Sequence, residues 1–281
     1  IDAAPTSSEV IDTVLDCGLR VRIARDDSLP VAAVVMAIET GTMHDPPEHP
    51  GLVHALAYHL LMGSNELRPG QVLADVRDYG GLATVAVGTG QVRYESLTPW
   101  AQLDQALAVE ARRLRAPTTR HALWLKALSY ARRDTRPRPP YPYAVRALLW
   151  DEAGLAHGGR EVDKSLTQMP EGAIGAQIAK LFRYSRATLV VVAPSDPKET
   201  LAQVRRHFDP IPAAPRTAKA PKAQPQPAAG SSLKTFAAPK QKGNTYVFPV
   251  APDPASQAWA EALCATLNRL PTLAGEAKKT R

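Results

Sequence analysis

Leu19 to Ala24 sets apolar residues against Arg20 and Arg22 in strict alternation, the period of a half-exposed strand, and Val31 to Ile38 is an unbroken apolar run of strand length. With Arg25-Asp26-Asp27-Ser28 as the turn, the two predict a hairpin. After a Pro-broken stretch from His44 to Pro50, residues 51–62 are apolar nearly all round, as in a helix buried inside a domain, and Gly63 closes it. A second helix is expected over 70–79, with Val72, Leu73 and Val76 inward. Gly80-Gly81 then opens an alternating segment to Tyr94 that reads as a strand pair.

Helical spacing returns in residues 100–115 through Leu103, Leu107 and Leu114, and in 119–134 through Leu123, Leu125 and Leu128, both with Arg-rich outer faces. Further helices are expected over 143–153, 170–184 and 197–207, with a buried strand over 187–193. This order of elements predicts an α+β fold, a mixed and mainly antiparallel sheet flanked by helices. Beyond Asn244 only one strand (246–250) and one helix (255–267) are legible.

Charge changes the picture less than its size suggests. The 281 residues carry a net +7, but 214–243 hold Arg216, Lys219, Lys222, Lys234, Lys240 and Lys242 without one acid, leaving +1 for the rest. That segment is rich in Pro and Ala, the composition of a solvated linker, and has no aromatic or Arg-Gly pattern on which a nucleic acid would stack. The chain therefore divides into 1–213, a linker over 214–243 and a short remnant over 244–281. No apolar run reaches the length of a membrane span. Cys17 and Cys264 alone form neither a disulfide framework nor a metal knuckle. The start Ile1-Asp2-Ala3-Ala4-Pro5, lacking Met, fits an exported chain, periplasmic or secreted, with a cytoplasmic one as the alternative.

Candidate chemistry begins with Glu39-Thr-Gly-Thr-Met-His-Asp-Pro-Pro-Glu-His-Pro-Gly-Leu-Val-His54. Gly63-Ser64, Arg68-Pro69, Gly80-Gly81, Leu103 to Leu107, His157-Gly158-Gly159, Leu189 to Ala193 and Phe208 to Pro212 follow it in order. Together, over about 10–213, they resemble the half-molecule of the insulinase/pitrilysin metallopeptidase family, in its bacterial processing-peptidase-like branch. The family's chemistry needs His-x-x-Glu-His on a helix, two imidazoles on one face for zinc and a carboxylate to polarise water. The positions that match the motif here are His54, Ala57 and Tyr58, so the resemblance implies a non-catalytic member. Ala57 has no proton acceptor, and Tyr58 is a poor zinc ligand at neutral pH.

The family's third ligand is a Glu on the later helix; that position falls at Tyr130 or Ala131, and a shifted register reaches Asp134. Glu110 is a further outsider, expected as a solvated charge beside Arg113. His44, His49, His54 and His59 recur every five residues, a spacing that suits neither helix nor strand as a ligand array. They read as structural or surface residues, with His54 hydrogen-bonded to Tyr58. The family's substrate strand departs too: Thr84, Val85, Ala86 and Val87 keep the means of peptide pairing but lack the usual Asn.

Three readings are open. The resemblance implies a subunit without a cofactor that pairs with an active zinc peptidase, or with its own kind, and shapes a peptide chamber; residues 246–267, through Val247, Phe248, Leu263 and Leu267, would reach that partner. A scaffold or peptide-binding module without a protease partner is the second. A hydrolase with an unconventional metal site is the third.

Overall fold

The computed structural model describes residues 10–46, 48–66, 68–135 and 162–216. Its strands are β1 (Ile11–Val14), β2 (Arg20–Arg25), β3 (Val31–Ile38), β4 (Leu82–Val87), β5 (Val92–Pro99) and β6 (Ala187–Ala193). The helices are α1 (Leu52–Met62), α2 (Gln71–Asp78), α3 (Leu103–Arg115), α4 (His121–Asp134), α5 (Glu171–Leu181) and α6 (Pro197–Phe208). One six-stranded sheet runs β1-β2-β6-β3-β5-β4, all antiparallel except β2 against β6. This is the mixed, mainly antiparallel α+β architecture that the alternation predicts.

The expected hairpin of β2 and β3 does not form. β6 lies between them, parallel to β2 and antiparallel to β3. The connection explains how: Asp26 N–H donates to Ala193 O at 3.0 Å, so the chain passes over the end of β6 and spans two strand spacings, about 10 Å, instead of one. Nothing in Arg25 to Pro30 offers the Asn-Gly or Asp-Gly pair of a two-residue turn. β1 has no counterpart in the sequence reading, being only four residues long.

One face of the sheet carries the core. Val21, Ile23, Val34, Met36, Leu189, Val191 and Tyr94 join Leu56, Leu60, Leu107 and Trp124 from the helices in one buried cluster. At roughly 1.5–3 kcal/mol for each such side chain removed from water, this cluster is what holds helices to sheet. Ten of the eleven α1 residues are buried, as its all-round apolarity requires. Val72 and Val76 of α2 point inward and Leu73 packs against the core.

Two outer faces differ from expectation. Leu125 is exposed, with Leu123 and Leu128 carrying the contact of α4. Arg113 is 1% exposed instead of solvated; its guanidinium forks onto Glu110 at 2.6 and 3.0 Å, donates to Leu60 O at 3.1 Å and lies 4.1 Å from the Tyr94 ring centre. Glu110, at 3% exposure, is likewise no solvated charge. The pair ties α3 to the last turn of α1. Residues 214–216 also depart from the linker expected there: Ala214 N–H donates to Asp16 O at 2.9 Å and Arg216 to Ala187 O at 2.7 Å. The expected helix over 143–153, the bend at His157 to Gly159, the linker from 217 to 243, Cys264 and the elements at 246–250 and 255–267 lie outside the described residues.

Candidate functional site

Asp45 sets the entry to α1. Gly51, at φ 79°, has no side chain to cap the helix, and Asp45 accepts instead, Oδ2 from Gly51 N–H at 2.9 Å and Oδ1 from Val53 N–H at 2.7 Å. Burial pushes this carboxyl up to about 6, against those two donors. The cap fixes where the first turn of α1, and therefore His54, points.

His54 meets α4. Its Nε2 lies 2.7 Å from Asp134 Oδ2, while Nδ1 is buried with no hydrogen-bond partner among the described residues. Burial holds His54 below the ordinary imidazole value, with Asp134 opposing. The neutral ring with Nε2–H donating to the carboxylate satisfies both facts. One turn on, the Tyr58 ring stacks on His54 at 5.8 Å and 20° and on Tyr130 at 6.1 Å and 17°. The Arg133 guanidinium covers Tyr130 at 4.5 Å. Burial, helped by the negative charge of Asp134, pushes the Tyr58 phenol up to about 12, so it keeps its proton.

The structure thus pairs His54 with Asp134 and not with Tyr58, which it stacks. Of the positions considered for the third ligand, Asp134 reaches the imidazole, Tyr130 reaches Tyr58, and Ala131 is fully buried in the core. Glu110 has both oxygens on Arg113. Ala57 is fully buried and its carbonyl accepts from Tyr94 Oη–H at 3.0 Å. The other histidines go elsewhere: His59 Nε2 bonds Thr118 O at 2.7 Å with its ring edge-on to Trp124, and half-buried His44 accepts from Gly41 N–H at 3.1 Å. His49 is half-buried as well. No three His, Cys, Asp or Glu among the described residues are placed to hold one metal ion.

A catalytic zinc takes three protein ligands and an open position. One imidazole and one carboxylate already bonded to each other, beside a protonated phenol, do not fit that ion. The phenol of Tyr58 instead lines a groove of about 180 Å³ between α1, α4 and β4, walled also by Leu73, Leu123 and Tyr130, with Lys126 at its rim and Thr84 and Val85 along one side. β4 is the last strand of the sheet, so its outer edge has no strand partner among the described residues. Motif helix and candidate peptide strand therefore share one groove. The α4 contribution to it was the hidden part: Lys126 and Tyr130 lie on its exposed side, which helical spacing alone assigns to solvent.

No family model and no curated protein matches the sequence. Solved structures do match the fold. A protease from Helicobacter pylori superimposes with a TM-score of 0.65 at 16% identity, over 75% of this chain and 52% of its own. The first half of the periplasmic protease PqqL from Escherichia coli gives 0.65 at 17%, over 78% and 50%. Pitrilysin gives 0.68 at 18%, over 77% and 24%. The chain has the half-molecule fold of pitrilysin-like proteases. It spans about half the length of the first two and about a quarter of pitrilysin.

Proposed function

We propose that this chain is a catalytically inactive metallopeptidase-like subunit that pairs with an active zinc peptidase of the same fold and forms part of its peptide-binding chamber. The observation that carries it is the closed pair at the motif position: His54 is held by Asp134, and the Tyr58–Tyr130 stack stands where the resemblance puts a second imidazole and a third ligand. The groove beside β4 supports the chamber role, because an extended peptide can add to an unpaired strand edge while Tyr58 and Leu123 receive its side chains. The shared fold with a half of a periplasmic protease fits both pairing and an exported setting. No described helix is long and apolar enough to cross a membrane.

The test is metal analysis and peptide turnover of the full chain. The expected result is no stoichiometric zinc and no hydrolysis. One tightly held zinc per chain, lost in His54→Ala, overturns it and favours the hydrolase reading. The edge of β4, which has no strand partner among the described residues, also supports the scaffold reading, in which peptides bind without a protease partner. Co-purification with a chain bearing His-x-x-Glu-His separates the two.

A further inference from the structure

The sheet has a second face, and no described element covers it. Helices α1, α3, α5 and α6 bury their side chains in the same cluster as Val21, Val34 and Leu189, so the alternate strand residues face the other way. On the two central strands, Ala33, Val35 and Ala37 of β3 stand opposite Val192, Val190 and Thr188 of β6. All six are half-buried, between core and open surface. Charges bank this stripe on both sides. Arg20 and Arg22 bond Asp12 at 2.7 and 3.0 Å on one, and Arg93 bonds Glu95 at 2.8 Å on the other.

Two strands between charged banks leave an apolar track about 10 Å wide, the diameter of one helix. Eight residues of β3 make it about 26 Å long. A buried-strand composition on both faces is what a sheet covered on both sides shows.

The chain contains a matching segment. Ala255, Ala258, Trp259, Ala262, Leu263, Thr266, Leu267 and Leu270 recur at three- and four-residue steps, with Ser256, Gln257, Glu261, Asn268 and Arg269 between them. As a helix of about 1.5 Å per residue it would be about 24 Å long, and its alanines allow close approach to a surface of Val and Ala. The departure point of the chain is also in place: Arg216 donates to Thr188 Oγ1 at 3.5 Å and Glu39 Oε1 at 3.2 Å, at one end of the stripe. The Pro- and Ala-rich stretch from 217 to 254 reaches on the order of 30 Å by its flexible-chain dimension, enough to lay 255–270 along the track. Tethering gives the segment an effective concentration of roughly millimolar, ahead of any second copy.

We propose that residues 255–270 form an amphipathic helix that docks in cis across β3 and β6 on this face, making the unit three-layered. The proposal goes beyond the pseudo-peptidase reading and stands whether or not the chain pairs with a peptidase.

Two measurements on the full chain test it. In a Cys264→Ser background, Val35→Cys with Leu263→Cys and a short bismaleimide is expected to give a cross-linked monomer; cross-linked dimers, or no cross-link, overturn docking in cis. By hydrogen exchange, amides over 258–268 should exchange on the order of a hundredfold more slowly than those of 217–245. Val190→Asp and, separately, Leu263→Asp should bring them within about tenfold of the linker while β3 and α1 stay protected. Leu263→Asp leaves every described residue of the helix-side core unchanged, so it reads docking even if Val190→Asp disturbs the sheet. Protection absent in the parent, or unmoved by Leu263→Asp, overturns the proposal.

Discussion

Single residues at the motif position act through their neighbours. Asp134→Ala would leave a buried imidazole without its only described hydrogen-bond partner, an unsatisfied polar group that costs about 1–3 kcal/mol, whereas loss of an exposed carboxylate that holds no buried group would cost almost nothing. A fall in melting temperature, without any gain of zinc, is the expected outcome. Protonation gives a second handle. Burial depresses His44, His54 and His59 below their ordinary value of 6.5, so each stays neutral in the fold while the unfolded chain takes up a proton. Their contribution is complete above 6.5 and is lost as pH falls through that value towards the folded ones. Asp45 works in the opposite sense: raised from 3.8 to about 6, it favours the folded state as pH falls through that window. Melting curves at about pH 7.5 and 5.5 should show the histidine loss first. His59→Gln should shrink that loss by up to about 1.4 kcal/mol per pH unit relative to the parent, a difference in which Asp45 cancels.

Among elements, the join between α1 and α3 rests on the buried Glu110–Arg113 pair and the Arg113 bond to Leu60 O. Arg113→Ala strands a carboxylate in the core and should cost about 3–5 kcal/mol, while Glu110→Leu with Arg113→Met removes both charges and should cost far less. Chemical denaturation of the two variants checks the order; equal losses would mean that the pair is not dry. The entry to α1 is a separate joint. Asp45→Ala frees two backbone donors and should cost about 1–2 kcal/mol. It should also loosen His54, seen as faster amide exchange at Val53 to Ala55.

At the scale of the molecule, the groove beside β4 and the pairing proposal meet. If β4 takes an extended peptide, Ala83→Pro, which removes an N–H on the side of β4 turned away from β5, or Tyr130→Ala, which opens the groove wall, should lower peptide affinity about tenfold or more, with the far-ultraviolet spectrum unchanged. Titration of a labelled peptide measures this. Pairing predicts that the full chain, co-expressed with an active peptidase of the same fold, elutes as one complex in moderate salt. A strictly monomeric chain at micromolar concentration, indifferent to that partner, would favour the scaffold reading.

Periodicity by itself determined a good part of this protein. The bounds of β3, the all-round burial of α1 and the strand pair after Gly80-Gly81 follow from residues whose burial is set by neighbours in the chain, and so does the absence of His-x-x-Glu-His at His54, Ala57 and Tyr58. Only the tertiary structure decided the rest. The insertion of β6 between β2 and β3 depends on a strand that begins at Ala187, far beyond Ile38 at the end of β3. The burial of Arg113 depends on a carbonyl of α1, and the choice of Asp134 over Tyr58 as partner of His54 depends on the angle at which α4 crosses α1. Local spacing reports which side of an element is apolar; it carries no information about which distant group will meet a polar side chain there, because that is settled by packing across the core.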